Sequence, residues 1–154
     1  MEKTNVMRIL DKQKIKYKEH TYTDVISGID VATTLGQNPE CVFKTLVTVG
    51  KSGSNYVFAI PVDKELDLKK AAKCVGEKSI AMIKSKELLP LTGYIHGGCS
   101  PIGMKKQFKT IFDSSASRQE HIFFSGGKIG FQVEIAVCDL DKAVRFEYGD
   151  VIEE

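Results

Sequence analysis

Two stretches of this sequence hold residue types that could do chemistry. The first is Gly93-Tyr94-Ile95-His96-Gly97-Gly98-Cys99-Ser100-Pro101-Ile102-Gly103, closed by Met104-Lys105-Lys106. Its glycines let backbone N–H groups approach a ligand closely, and Pro101 stiffens the loop without adding a donor. A carbonyl or phosphate oxygen is the natural guest of such a nest, and an ordinary turn between strands is the plain alternative. The second is Lys44, a charge set between Phe43 and Leu46 in the β-branched run Val42 to Val49. Lysine is seldom fully buried unless paired or functional. Either its stem lies along apolar neighbours with the head in solvent, or it points into a site.

No familiar catalytic set can be assembled around them. Ser100 sits in no GxSxG elbow, and His20, His96 and His121 are scattered. Cys99 has His96 three residues away, a spacing that rarely aligns a thiol with its base inside a tight loop, so small-residue packing is its ordinary role. Glu134 is a single carboxylate without a partner for general acid–base work. Cys41, Cys74, Cys99 and Cys138 form no CxxC pair and no His lies at ligand spacing, so neither a metal nor a cofactor is expected. What survives is a site of one lysine, backbone amides and a few polar tips, suited to binding and polarising a carbonyl rather than attacking it.

The elements that must position these groups alternate in type. Thr4 caps a helix to Asp11 with Val6, Ile9 and Leu10 on one face, and a half-exposed strand follows from Ile15 to Tyr22. Tyr22 ends that strand, where a tyrosine more often packs than reacts. Beyond a 23–28 loop, Asp30 is read as the cap of a helix from Val31 to Leu35, and Pro39 as a further helix start. Val42–Val49 and Tyr56–Val62 are strands around a Gly/Ser hairpin, the second apolar enough to be central and covered on both faces. Asp67 caps a helix from Leu68 to Val75, with Leu68, Ala71, Ala72 and Val75 inward, Lys69, Lys70 and Lys73 outward, and Gly76 as the stop. Ile80–Ile83 is a short strand, and Ser85 caps a turn from Lys86 to Leu89 that breaks at Pro90. Phe108–Phe112, Ile122–Ser125 and Phe131–Ala136 are strands, the last with Gln132 and Glu134 on the face opposite Phe131, Val133 and Ile135. Asp139 caps a closing helix from Leu140 to Val144.

This mixture predicts an α+β (mixed α/β) class, and 154 residues fit one domain spanning 1–154. Hydrophobic residues at 42% and charged residues at 27% argue against disorder. No apolar run approaches membrane length and the start has no secretory h-region, so a cytoplasmic protein with reduced thiols and no membrane partner is expected. A net charge of +2 announces no nucleic-acid binder, yet leaves room for a local basic face such as Lys64, Lys69, Lys70 and Lys73.

Four motifs in order carry a specific resemblance: Val42-Phe43-Lys44-Thr45-Leu46, Leu66-Asp67-Leu68-Lys69-Lys70-Ala71-Ala72-Lys73, Thr92-Gly93-Tyr94 through Gly103, and Ser125-Gly126-Gly127-Lys128-Ile129-Gly130. Over nearly the whole chain the sequence resembles the YbaK/EbsC family, similar to the editing domain of bacterial prolyl-tRNA synthetases. That resemblance implies a deacylase of mischarged Cys-tRNA(Pro) and related Cys-tRNAs, built on a mixed sheet bent into a barrel-like core with helices around it. It implies no cofactor, the 3′ CCA end of aminoacyl-tRNA as partner rather than DNA, and prolyl-tRNA synthetase as a candidate escort.

The family's key lysine falls on Lys44, and its pocket positions fall on Tyr22 and on Gly97 in the glycine loop. In its best-known members the substrate's own thiol attacks the ester and leaves as a cyclic thiolactone. The amides near Gly97 and Gly98 would then stabilise the oxyanion, with Thr45, His96, Cys99, Ser100 and Pro101 completing the pocket. Val25, Ile26 or Ile29 would stand in for an aromatic pocket residue, and Gln132 for an aspartate near the substrate amino group. Competing readings are a sibling deacylase of Ala-tRNA(Pro) using water, a non-catalytic aminoacyl-tRNA-binding module, and thiol redox activity through Cys99.

Overall fold

The computed structural model describes residues 3–23 and 27–154. The chain opens with α1 (Asn5–Lys12), whose first turn is closed by the Thr4 hydroxyl accepting from the Met7 N–H, with Val6, Met7 and Leu10 buried. It continues through β1 (Tyr17–Thr21), α2 (Gly28–Thr34), a 3-10 turn at Pro39–Cys41, β2 (Phe43–Gly50) and β3 (Asn55–Pro61). Next come α3 (Leu68–Val75), β4 (Ile80–Met82), α4 (Ser85–Thr92), β5 (Lys109–Asp113) and β6 (His121–Ser125). β7 (Phe131–Ala136), α5 (Leu140–Ala143) and β8 (Glu147–Gly149) complete it.

The strands form two sheets. One is mixed, in the order β4-β2-β3-β5-β8; the other is antiparallel, in the order β1-β7-β6. β3 is central as expected, and its alternation feeds two cores. Val57 and Ala59 join the main core with Phe43, Val47, Phe112, Ile122, Phe124 and the α1 face. Phe58 and Ile60 turn to the other side, onto Ala71 and Ala72 of α3 with Ile111 and Val151. The β3–β5 and β5–β8 pairings are parallel, so α3, β4, α4 and the glycine loop make up the crossover from β3 to β5.

The α+β class stands, but the barrel does not. An isolated parallel bridge, Val42 with Phe123, links the two sheets, and neither sheet closes on itself. β2 pairs with β3 and β4, and β6 with β7, and past the bridge no further pairing joins β2 to β6 among the described residues.

Several local expectations also change. Ser27, not Asp30, caps α2, its hydroxyl accepting from the Asp30 N–H at 3.1 Å. α4 starts after Lys84, whose N–H is accepted by Glu87, and runs through Pro90 to Gly93. A proline removes one N–H and need not end a helix whose last turn is closed otherwise, here by the Gly93 N–H on the Leu89 carbonyl. Leu68 is 43% exposed because, as the first residue of α3, it projects off the helix end rather than onto its packed face. Lys70 is not a free outward charge: its ammonium donates to the Ile152 carbonyl at 2.9 Å and pairs with Asp150, holding the C-terminal segment. Asp139 caps nothing and instead pairs with Lys142. β8 gave no alternating signal, having only three residues, two of them exposed.

The glycine loop rests on the main core. Tyr94 is buried and its hydroxyl donates to the Ile102 carbonyl, stapling the loop's two ends. Gly103 has φ +78, and a Cβ there would lie 2.8 Å from the tip of Ile9 and 2.9 Å from the Tyr94 oxygen. Gly103→Ala is therefore expected to lower the unfolding free energy by roughly 1–3 kcal/mol in urea titration. A loss below about 0.5 kcal/mol would mean the loop tolerates a side chain at its closure.

Candidate functional site

A cleft of about 660 Å³ opens beside the Val42–Phe123 bridge, along the start of β2. Its floor is β2 from Val42 to Val47; its walls come from the β4–α4 junction (Met82 to Ser85), the start of α2, the glycine loop and the ends of β6 and β7. Of the residues singled out in the sequence, Tyr22, Lys44, Thr45, His96, Gly97, Cys99 and Gln132 line it.

Each arrives from a different element. Tyr22 follows β1, and its N–H donates to the Gly130 carbonyl at 3.0 Å, tying that strand end to the second glycine loop. Gln132 is carried by β7 between His20 and Ser125 on its neighbouring strands. The two glycine loops touch one another. A Cβ on Gly98 would lie 3.1 Å from the Ile129 nitrogen, and Gly97, at φ +87, faces the Ile129 side chain. Gly98 thus supplies close approach between two backbones.

Other expected residues fall outside the cleft lining. The Gly98 N–H is occupied by the Ile95 carbonyl at 3.0 Å, so it cannot also face an oxyanion. Ser100 is fully buried with its hydroxyl accepting from the Ile102 N–H, and Pro101 is buried beside it, so both shape the loop from beneath. Ile29 is 48% exposed and does not line the cleft; Val25 and Ile26 lie outside the described residues.

Strand alternation settles which way the two central side chains turn. Lys44 and Thr45 are consecutive in unbroken register with Ile60 and Ala59, so they project from opposite faces of β2. Lys44 shares its face with Val42 and Leu46; its side chain is 30% exposed and its nitrogen is 3.9 Å from a Glu65 oxygen. That separation across a largely exposed partner is a weak tether, leaving the ammonium available at the cleft mouth. Thr45 turns toward the main core, where its hydroxyl is buried without a partner. The Gln132 carbonyl oxygen is also buried and unpartnered, in a residue only 6% exposed. Buried polar atoms are nearly always satisfied, so two orphans in one cleft point to a polar guest, one that gives a donor to the Gln132 oxygen and can give or take a bond at the Thr45 hydroxyl.

The titratable groups argue against a protein nucleophile. Burial pushes the Cys99 thiol up to about 12, leaving almost no thiolate near neutral pH. Tyr94 is pushed up to about 12 by burial and by Cys99, which keeps its phenol a donor. No aspartate or glutamate lines the cleft among the described residues. Glu134 takes His20 at 3.0 Å and His121 at 3.6 Å, and no cluster fit to hold a metal occurs among the described residues.

Sequence reasoning missed Ser27, Gly28, Val31, Lys84 and Ser125 as lining residues. Ser125 carried the one usable signal. It ends β6 and opens the second glycine loop, where its hydroxyl accepts from the Gly127 N–H at 3.1 Å.

Residues 25–143 match the model of the aminoacyl-tRNA editing domain. The chain is 47% identical over 138 residues to EbsC of Enterococcus faecalis, described as a candidate Cys-tRNA(Pro)/Cys-tRNA(Cys) deacylase, covering 88% of this chain and 84% of that one. It is 28% identical over 102 residues to a proline–tRNA ligase of Pelobacter propionicus, matching 66% of this chain and 18% of the ligase. A solved protein described as a candidate trans-editing enzyme for prolyl tRNA synthetase superposes with a TM-score of 0.84 at 22% identity, covering 99% of this chain and all of that one. Matched over most of its length by that family model and by a relative of nearly its own size, the chain belongs to the aminoacyl-tRNA editing domain family.

Proposed function

We propose that the protein is a trans-acting deacylase that removes cysteine from mischarged tRNA(Pro), the substrate thiol serving as nucleophile. The observation that carries this reading is a cleft that binds well and attacks poorly. Its thiol is protonated and buried, no carboxylate lines it among the described residues, and its unsatisfied groups are a hydroxyl and an amide oxygen.

In the reaction the cysteinyl sulfur attacks its own ester carbonyl. A C–S bond forms, the C–O bond to the terminal ribose breaks, and the thiol proton passes to the departing 3′-oxygen, giving a cyclic thiolactone and free tRNA. The protein's part is to hold the ester so that thiol and carbonyl meet, and to meet charge as it develops on the carbonyl oxygen. Lys44, at the mouth on the opposite face from Thr45, is suited to the terminal ribose or phosphate. Tyr22 and His96 offer polar contacts to the terminal adenosine, and the Gly97 amide remains a candidate donor.

Single-turnover deacylation of Cys-tRNA(Pro), Ala-tRNA(Pro) and Pro-tRNA(Pro) tests the reading. Cysteine alone is expected to be lost, with Lys44→Ala slowing it by about a hundredfold. Loss of alanine as well would require a water nucleophile, and tRNA binding without turnover would leave a binding module. The thiol assignment has its own check. At pH 8 iodoacetamide should label exposed Cys138 and spare Cys99, and the labelled protein should still deacylate. Rapid labelling of Cys99 with parallel loss of activity would return the nucleophile to the protein. Prolyl-tRNA synthetase is the escort this reading favours, and a pull-down recovering none, with or without tRNA, would remove it.

A further inference from the structure

The cleft floor holds main-chain hydrogen-bonding groups for which the strand pairings give no partner among the described residues. A strand that offers a face to a cavity lines it with alternate residues, yet Val42 and the first five residues of β2, Phe43 to Val47, all line this one. The cavity therefore abuts the strand's edge. In an antiparallel pair, alternate residues turn both backbone groups toward the partner. The Val62 N–H on the Val42 carbonyl at 2.9 Å and the Gly50 N–H on the Ser54 carbonyl at 2.8 Å assign the even positions of β2 to β3. Phe43, Thr45 and Val47 turn the other way.

On that side, among the described residues, partners exist only at the two ends. β4 pairs with Thr48 to Gly50, and the Ile83 N–H takes the Val47 carbonyl at 3.3 Å. At the other end Val42 bridges Phe123, and no further bridge joins β2 to β6 among the described residues. Between these two contacts lies Thr45, its N–H and C=O both facing the cleft. The Gln132 oxygen, buried and unpartnered, looks for a donor in the same space.

Resting on the deacylase reading above, we propose that Thr45 binds the α-amino ester end of aminoacyl-tRNA through its main chain, as though the ligand were a one-residue strand. The Thr45 N–H donates to the ester carbonyl oxygen and the Thr45 carbonyl accepts from the α-amino group, with the Gln132 oxygen as a second acceptor. An α-amino ester carries an acceptor and a donor on neighbouring atoms, the same pair that a residue presents to an adjacent strand. The edge thus reads what every aminoacyl ester shares and leaves the choice of amino acid to the side chains around it. As the carbonyl is attacked its oxygen gains charge, so the same N–H becomes the oxyanion donor that Gly98 cannot be.

The test uses 3′-cysteinylamino-3′-deoxyadenosine, whose amide resists cleavage, and a version lacking the amino group. Saturation with the first should shift the Thr45 amide proton downfield in NMR and slow its exchange by about tenfold, while the second binds about tenfold more weakly. A Thr45 amide that stays unmoved, whether the probe binds elsewhere or not at all, overturns the proposal. Thr45→Pro removes the N–H without breaking a β3 bond and should cost about a hundredfold in single-turnover rate at a near-unchanged melting temperature. Thr45→Val, which loses only the hydroxyl, should lose about tenfold less than proline does. Equal losses in the two variants would assign the contact to the hydroxyl and refute the main-chain role. If Thr45→Pro fails to fold, the wild-type amide measurement decides. A wild type that binds the probe at Thr45 yet deacylates nothing would sink the deacylase reading alone; an active one with a silent Thr45 would sink this proposal alone.

Discussion

The single bridge between Val42 and Phe123 is the constraint on which the site depends. It fixes the start of β2 against β6 at one point, while β3 on one side and β7 on the other hold the rest of each strand in its own sheet. Two strands pinned at one end and pulled apart beyond it leave a wedge between them. Sheet edges in folded proteins are usually covered, because bare N–H and C=O groups are costly when dry and sticky when wet. Here the gap is walled by the glycine loops, α2 and the β4–α4 junction, so the edge is sheltered with no strand paired along it at Thr45 among the described residues.

The failure to close into a barrel is what makes the cleft. A continued ladder between β2 and β6 would give Thr45 a main-chain partner and fill the space with backbone. The second core, packed on α3, holds the far face of β3 in place, so the splay does not loosen the sheet. On the other side the main core runs from α1 through β2, β3 and β5 to β6 and β7, so one apolar body supports both walls. A site built between two strands of a packed core is held more firmly than one on free loops.

Much of this was legible in the residues. Capping and periodicity marked α1, α3 and the long strands, because Thr4, Asp67 and Gly76 act within one turn of the chain. Tyr22, Lys44, Thr45, His96, Gly97, Cys99 and Gln132 meet in the cleft because a recognised motif order carries spatial order with it. What could not be read was set by distant partners. Ser27 outcompetes Asp30 for the α2 cap, Pro90 is absorbed by a closed final turn, and β8 exists only because β5 offers it an edge. The Gly98 amide illustrates the limit most directly, since glycine advertises an available N–H whether or not a nearby carbonyl, here that of Ile95, already holds it.

Electrostatics then divides the labour. Burial that silences Cys99 would be a defect in a thiol enzyme, but it suits a cleft whose guest brings its own sulfur, because a reactive protein thiol there would compete for the same carbonyl. The absence of carboxylates among the described lining residues has a related effect. An ammonium held by neutral acceptors such as a carbonyl and the Gln132 amide is held less tightly than by a carboxylate. On the proposed reading, weak capture of the amino group would keep ground-state binding modest, so that interactions formed as the carbonyl oxygen gains charge would contribute more to rate than to retention. On the same reading Lys44, on the other face of β2 at the mouth, would attract the polyanionic tRNA end without neutralising the groups proposed to hold the ester. On the proposed reading, backbone would serve the common ester, neutral side chains the amino group and one peripheral cation the nucleic acid, and selectivity would rest on which amino acid can attack itself.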